Sequence, residues 1–151
     1  PHARVVFVGE GPGESEDKLG RPFVGVAGKL LTKMIEKGVG IPRHEVYIAN
    51  IVKCRPPRNR VPVAHEALAC RGYLEEQIRY IAPKLIVALG ATALTYLLDK
   101  EIKITHERGK VFEYKGIPLL ATYHPSYLLR NPSAKKESYA DMLKIKKMME
   151  L

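Results

Sequence analysis

The sequence predicts an α/β protein: a three-layer α/β/α sandwich around a central, mainly parallel four-stranded sheet. Three observations point there. Short apolar runs rich in β-branched residues recur along the chain (RVVFV, VYIANIV, LIVAL, PLLATY) without the polar alternation of a half-solvated strand. Stretches of helical length and helical apolar spacing lie between them. Glycines and prolines punctuate the joins. Strands separated by helices pair in parallel, with helices on both sheet faces.

Arg4 to Val8 reads as a strand buried on both faces. It runs straight into a long irregular stretch, Gly9 to Gly28, GEGPGESEDKLGRPFVGVAG. The first helix, Val26 to Lys37, leaves it with the stripe Val26, Leu30, Met34 and, one step round, Ala27, Leu31, Ile35; Gly38 and Gly40 are expected to end it. Val46 to Val52 is the second strand, interrupted by Asn50. Lys53 to Arg60, KCRPPRNR, is a basic loop that its prolines bar from helix and central strand. The second helix spans Ala64 to Ile81, with Ala67, Cys70, Leu74, Ile78 and Ile81 on its apolar side. Leu85 to Leu89 is the third strand, and Gly90 turns it into a third helix, Ala91 to Leu98. Residues 102–122 read as short extended pieces around Gly109 and Gly116, the last being a fourth core strand, Pro118 to Tyr123. Beyond HPSYLLRNP, Ser133 is placed to cap a final lysine-rich helix, Ala134 to Met149.

Composition narrows the function. With 151 residues, 46% of them hydrophobic, residues 1–151 read as one domain able to bury a core, and disorder is not expected. With no Met at position 1, the natural start is expected upstream of Pro1. No apolar run reaches membrane-spanning length, so no membrane partner is expected. The net charge of +9, from 25 basic and 16 acidic residues, favours a polyanionic partner, most simply nucleic acid. Two cysteines, Cys54 and Cys70, make no disulfide framework and suit a reducing cytoplasm.

The glycine-rich stretch is not a phosphate cradle. A dinucleotide fingerprint would need Gly where Glu14 stands, and no Gly-Lys-Ser/Thr follows. Glu10, Glu14, Glu16 and Asp17 would repel phosphate; they are either a solvated acidic loop or working carboxylates. Three groups share an address. Glu10 follows the first strand, Asn50 ends the second, and His124 follows the last. In a parallel sheet all strand carboxyl ends lie on one edge, where ligands bind. An amide there can pair with N3–H and O4 of uracil, or simply bond a neighbouring loop. An imidazole can donate to an oxygen gaining charge in a departing base. A carboxylate can orient water or offset charge on an oxocarbenium-like sugar. Phe23 can stack on a flipped base or serve the core. Leu128 and Leu129 beside Arg130 can wedge into a duplex or lead a helix from the core.

GEGPGESEDKLGRPFVGVAG, NIVKCRPPRNR and HPSYLLRNP, in this order over essentially the whole chain, resemble family 4 uracil-DNA glycosylases of bacteria and archaea. The resemblance implies hydrolysis of the N-glycosidic bond of uracil in DNA; separately, the chain is expected to act as a monomer. It implies Glu10 and Gly11 at the water site, Glu16 near the pocket, Phe23 stacked on uracil, Asn50 on its edge and His124 on its O2. Ser126, Leu128, Leu129 and Arg130 would lie against the DNA minor groove. It also implies a 4Fe–4S cluster, for which Cys54 and Cys70 match one pair of ligands; such a cluster takes four thiolates. A structural role for it is expected, since breaking a glycosidic bond needs no redox step. The competing readings are a non-catalytic nucleic-acid-binding domain, which needs neither Asn50 nor His124, and a small-molecule hydrolase, which does not need the charge.

Overall fold

Runs of β-branched residues with no polar member cannot sit at a surface, and the strands they form are buried on both faces. The computed structural model describes residues 4–9, 26–41, 46–50, 74–98 and 103–149. Five strands make one sheet: β1 (Val5–Gly9), β2 (Val46–Asn50), β3 (Leu85–Leu89), β4 (Val111–Tyr114) and β5 (Ile117–Thr122), in the order β2-β1-β3-β5-β4. β1 pairs in parallel with β2 and β3, and β3 in parallel with β5. Successive side chains of a strand point to opposite faces. Accordingly Val6, Val8, Ile86 and Ala88 enter one cluster, and Val5, Phe7, Leu85 and Val87 the other.

Helices cover both faces. On the first face lie helical residues 74–81 (α2), through Leu74, Ile78 and Ile81, and α3 (Ala91–Leu98), through Ala93 and Leu94. On the second lie α1 (Val26–Lys33) with its π-helical continuation Met34–Val39, and the long terminal helix α6 (Lys135–Met149). Leu31, Ile35, Met142 and Ile145 fill the second cluster. The three-layer α/β/α architecture is as the sequence predicts.

Four details differ. The sheet has a fifth strand: β4 is an antiparallel edge strand, joined to β5 through Lys115 and Gly116. Both turn residues have positive φ, +48° and +85°, the conformation of a tight hairpin turn. The sequence reads this stretch as a short extended piece around Gly116, and lysine does not announce such a turn, so the pairing with β5 is not legible there. A short helix, α4 (Ile104–Glu107), precedes it. Gly38 does not end the first helix; the chain continues through it to Gly40, whose left-handed backbone sends its N–H to the Ile35 carbonyl at 3.0 Å. Gly38 instead allows close packing: a Cβ there would lie 2.8 Å from Cβ of Met142. Ser133 is not the first cap of the last helix, because it lies inside a 3₁₀ turn, Pro132–Ala134, that leads into α6.

Candidate functional site

The carboxyl ends of the parallel strands meet on one edge of the sheet. Gly9, the last residue of β1, is registered against Asn50, the last of β2; Leu89 of β3 is registered against Thr122 of β5. Asn50 and the residues after Thr122 therefore share this edge, three strand steps apart. At the usual strand spacing that is about 14 Å between backbones. β1, which Glu10 follows in the sequence, and β3 lie between them. Glu10 itself lies outside the described residues, as do Gly11, Glu14, Glu16, Asp17, Phe23, Cys54, Cys70 and the KCRPPRNR loop.

His124 is held from three sides. It is the N-cap of a short helix, α5 (Pro125–Arg130), with extended backbone at φ −71° and ψ 142°. Pro125 follows at the first helical position, where a missing N–H costs nothing and the ring presets φ. The N–H of Ser126 donates to Nδ1 of His124 at 3.0 Å, satisfying one of the amides a helix start leaves open. The chemical consequence is a fixed tautomer. A nitrogen that accepts a hydrogen bond carries no proton, so the neutral ring carries its proton on Nε2. The ring presents Nε2–H as its donor.

The second restraint is Gly90, directly after β3. Its N–H donates to the Thr122 carbonyl at 2.9 Å, stitching the ends of β3 and β5 together. Its φ is +92°, and a Cβ there would lie 3.2 Å from Cβ of His124. Both the backbone and the space call for glycine. The third restraint comes from below. Thr122, fully buried, donates its hydroxyl to Oδ2 of Asp141 at 2.6 Å. Asp141, 2% exposed, also accepts two bonds from Arg108, at 2.8 and 3.2 Å. The hydrogen bonds to Asp141, against a smaller opposing effect of burial and with the charges of Asp141 and of Glu137 at 3.5 Å adding, raise the Arg108 pKa above its ordinary value. Tyr123 stacks on Tyr127 at 4.7 Å between centroids; burial, ahead of the Glu137 charge, raises its phenol pKa. The two residues before His124 are thus anchored to α6 and α5.

The paired leucines of the motif divide. Leu128 is fully buried with Tyr123 and Ala134, so in this conformation it holds α5 to the core and cannot act as a wedge. Leu129 is 43% exposed, and Arg130 is exposed beside it. Ser126 spends its amide on His124. Gly90, Thr122, Asp141 and Arg108 have no motif that marks them, and their partners are distant in sequence. Among the described residues no cluster of three or more His, Cys, Asp or Glu could hold a metal ion.

The fold and this edge define the class: an α/β protein whose parallel strands end at a common rim, with Asn50 closing one strand and the helix-capping His124 following another. The chain belongs to the uracil DNA glycosylase superfamily, whose profile matches residues 1–145. Within it the chain is similar to the type-4 uracil-DNA glycosylase of Thermotoga maritima, 56% identical over 132 residues, covering 86% of this chain and 68% of that protein. The type-4 enzyme of Sulfurisphaera tokodaii is 49% identical, covering 98% of this chain and 71% of its own. That of Saccharolobus solfataricus is 44% identical, with 97% and 72% covered.

Proposed function

We propose that this protein excises uracil from DNA, hydrolysing the bond between the base and C1′ of deoxyribose and leaving an abasic site. The target nucleotide must leave the stack for its glycosidic bond to be reached. Asn50 reads the N3–H and O4 edge, a donor–acceptor pair that cytosine presents in reverse. As the C1′–N1 bond breaks, its electron pair leaves with uracil and charge gathers on O2. Nε2–H of His124 donates to that oxygen and stabilises the developing anion. Glu10 and Gly11 place the water whose hydroxyl group adds to C1′, and its proton ends on the freed base. Phe23 stacks on the extruded ring and Glu16 borders the pocket. Ser126, Leu129 and Arg130 face the duplex, with Leu128 bracing them from behind.

The observation that carries this reading is the capped His124: its Nδ1 is committed to Ser126, so the ring acts as a neutral donor on the same edge as Asn50. The superfamily match and the type-4 relatives support it. Incubation with a labelled oligonucleotide containing one uracil, then alkali, should cut the strand at that position and nowhere else. A strand that survives alkali intact would refute the proposal.

Cys54 and Cys70 fit a 4Fe–4S cluster as two of its four thiolates. Such a cluster would tie the basic loop to the second helix, and no step of the hydrolysis passes through it. Iron and acid-labile sulfide in the purified protein, lost together in Cys54→Ser, are the expected result. Residues 1–151 are taken as one domain acting as a monomer in the cytoplasm, where its DNA substrate and reduced thiols are found; one peak of monomer mass in size-exclusion chromatography checks the oligomeric state.

A further inference from the structure

A cleft of about 540 Å³ lies on the second helical layer, between α1 with its π continuation, α5 and α6. Its floor is apolar, made by Leu30 and Met34, with the fully buried Leu128 packed behind them. Its rims are basic: Lys33 and Lys37 on one side, Lys135 and Lys136 on the other. All four lysines are exposed, and none forms an ion pair with a described residue. Elsewhere Arg108, Lys110 and Lys115 are each matched by a carboxylate. Exposed Tyr139 forms a further wall.

We propose that this cleft is a docking site for a partner protein's short acidic segment that carries bulky apolar anchor residues. The cleft is within the size range of small-ligand pockets, about 300–1,000 Å³, with room for two large side chains. An apolar floor rewards such anchors through burial. Two lysine rims on separate helices complement carboxylates on both sides of a segment running between them. A DNA backbone would use the lysines but leave the apolar floor without a role, since phosphate contacts are polar. Leu128 is the one residue shared with the groups assigned to uracil excision; the four lysines, Leu30 and Met34 are not, so a test that varies the lysines and the peptide is independent of that activity.

The probe is a fluorescein-labelled peptide with a run of Asp followed by Leu and Phe at its carboxyl terminus, titrated against the whole chain by fluorescence anisotropy. Its companion carries Ser in place of Leu and Phe. The parent peptide should bind, and removing the anchors should weaken it by about tenfold or more. The variant K33E/K37E/K135E/K136E should weaken the parent peptide by about the same factor. Methyl resonances of Leu30 and Met34 should shift on titration. Equal binding of both peptides, or shifts confined to another face, would overturn the proposal. So would absence of peptide binding with a charge-reversed variant whose duplex affinity has lost salt dependence, which would assign the lysines to DNA.

Discussion

In the proposed reaction the imidazole of His124 would act through Nε2, because Nδ1 is spent on the Ser126 amide. His124→Ala should slow uracil release by roughly 10²–10⁴-fold while leaving duplex binding nearly unchanged. Single-turnover excision beside a binding titration separates the two, and equal loss of both would count against the assigned role. Two residues upstream, the Thr122 hydroxyl is a buried donor to a buried carboxylate. Thr122→Val removes that donor and leaves Asp141 short of a partner, at a cost of about 1–3 kcal/mol. Thr122→Ser keeps the hydroxyl and should recover most of the loss in chemical denaturation. The position of His124 was legible in the sequence, because it follows an apolar strand and begins a recognisable motif. Its tautomer was not, because that depends on how the chain turns after it.

At the level of elements, α6 meets the π-helical continuation of α1 where Gly38 gives Met142 room. A Cβ at Gly38 would sit 2.8 Å from Cβ of Met142, too close without a shift of one helix against the other. Gly38→Ala should therefore destabilise the fold by about 1–3 kcal/mol, despite the better helix propensity of alanine. The fall in melting temperature checks it. The spacing of Leu31 and Ile35 predicts α1, but a glycine in a helical pattern is also the usual mark of a helix end. Only the position of α6 shows that Gly38 is a contact point. The short α5 likewise escaped the pattern, since it spans only Pro125–Arg130 and depends on its cap.

Across the whole molecule, the net charge of +9 bears on association with DNA. Each phosphate neutralised adds about 0.9 to the slope of log affinity against log salt. Affinity for a uracil-containing duplex should fall steeply between low and physiological salt, while single-turnover excision at saturating protein changes little. A duplex affinity flat in salt would remove DNA as the reason for the charge. A small-molecule hydrolase would show no such slope with its substrate.

Periodicity and composition determined the four parallel core strands and the layering around them without help from the structure. β3 and α3 fall on the residues predicted, Leu85–Leu89 and Ala91–Leu98, because apolar runs and helical spacing are local signals. The shared edge of Asn50 and His124 follows from parallel βαβ connections, which bring strand carboxyl ends together. The tertiary structure alone decided which distant groups meet. Gly90 against His124, Thr122 on Asp141, the antiparallel β4 and the lysine-rimmed cleft all depend on how separate elements pack. A repeating pattern states which face of an element is buried; it carries no record of the residue that will lie opposite.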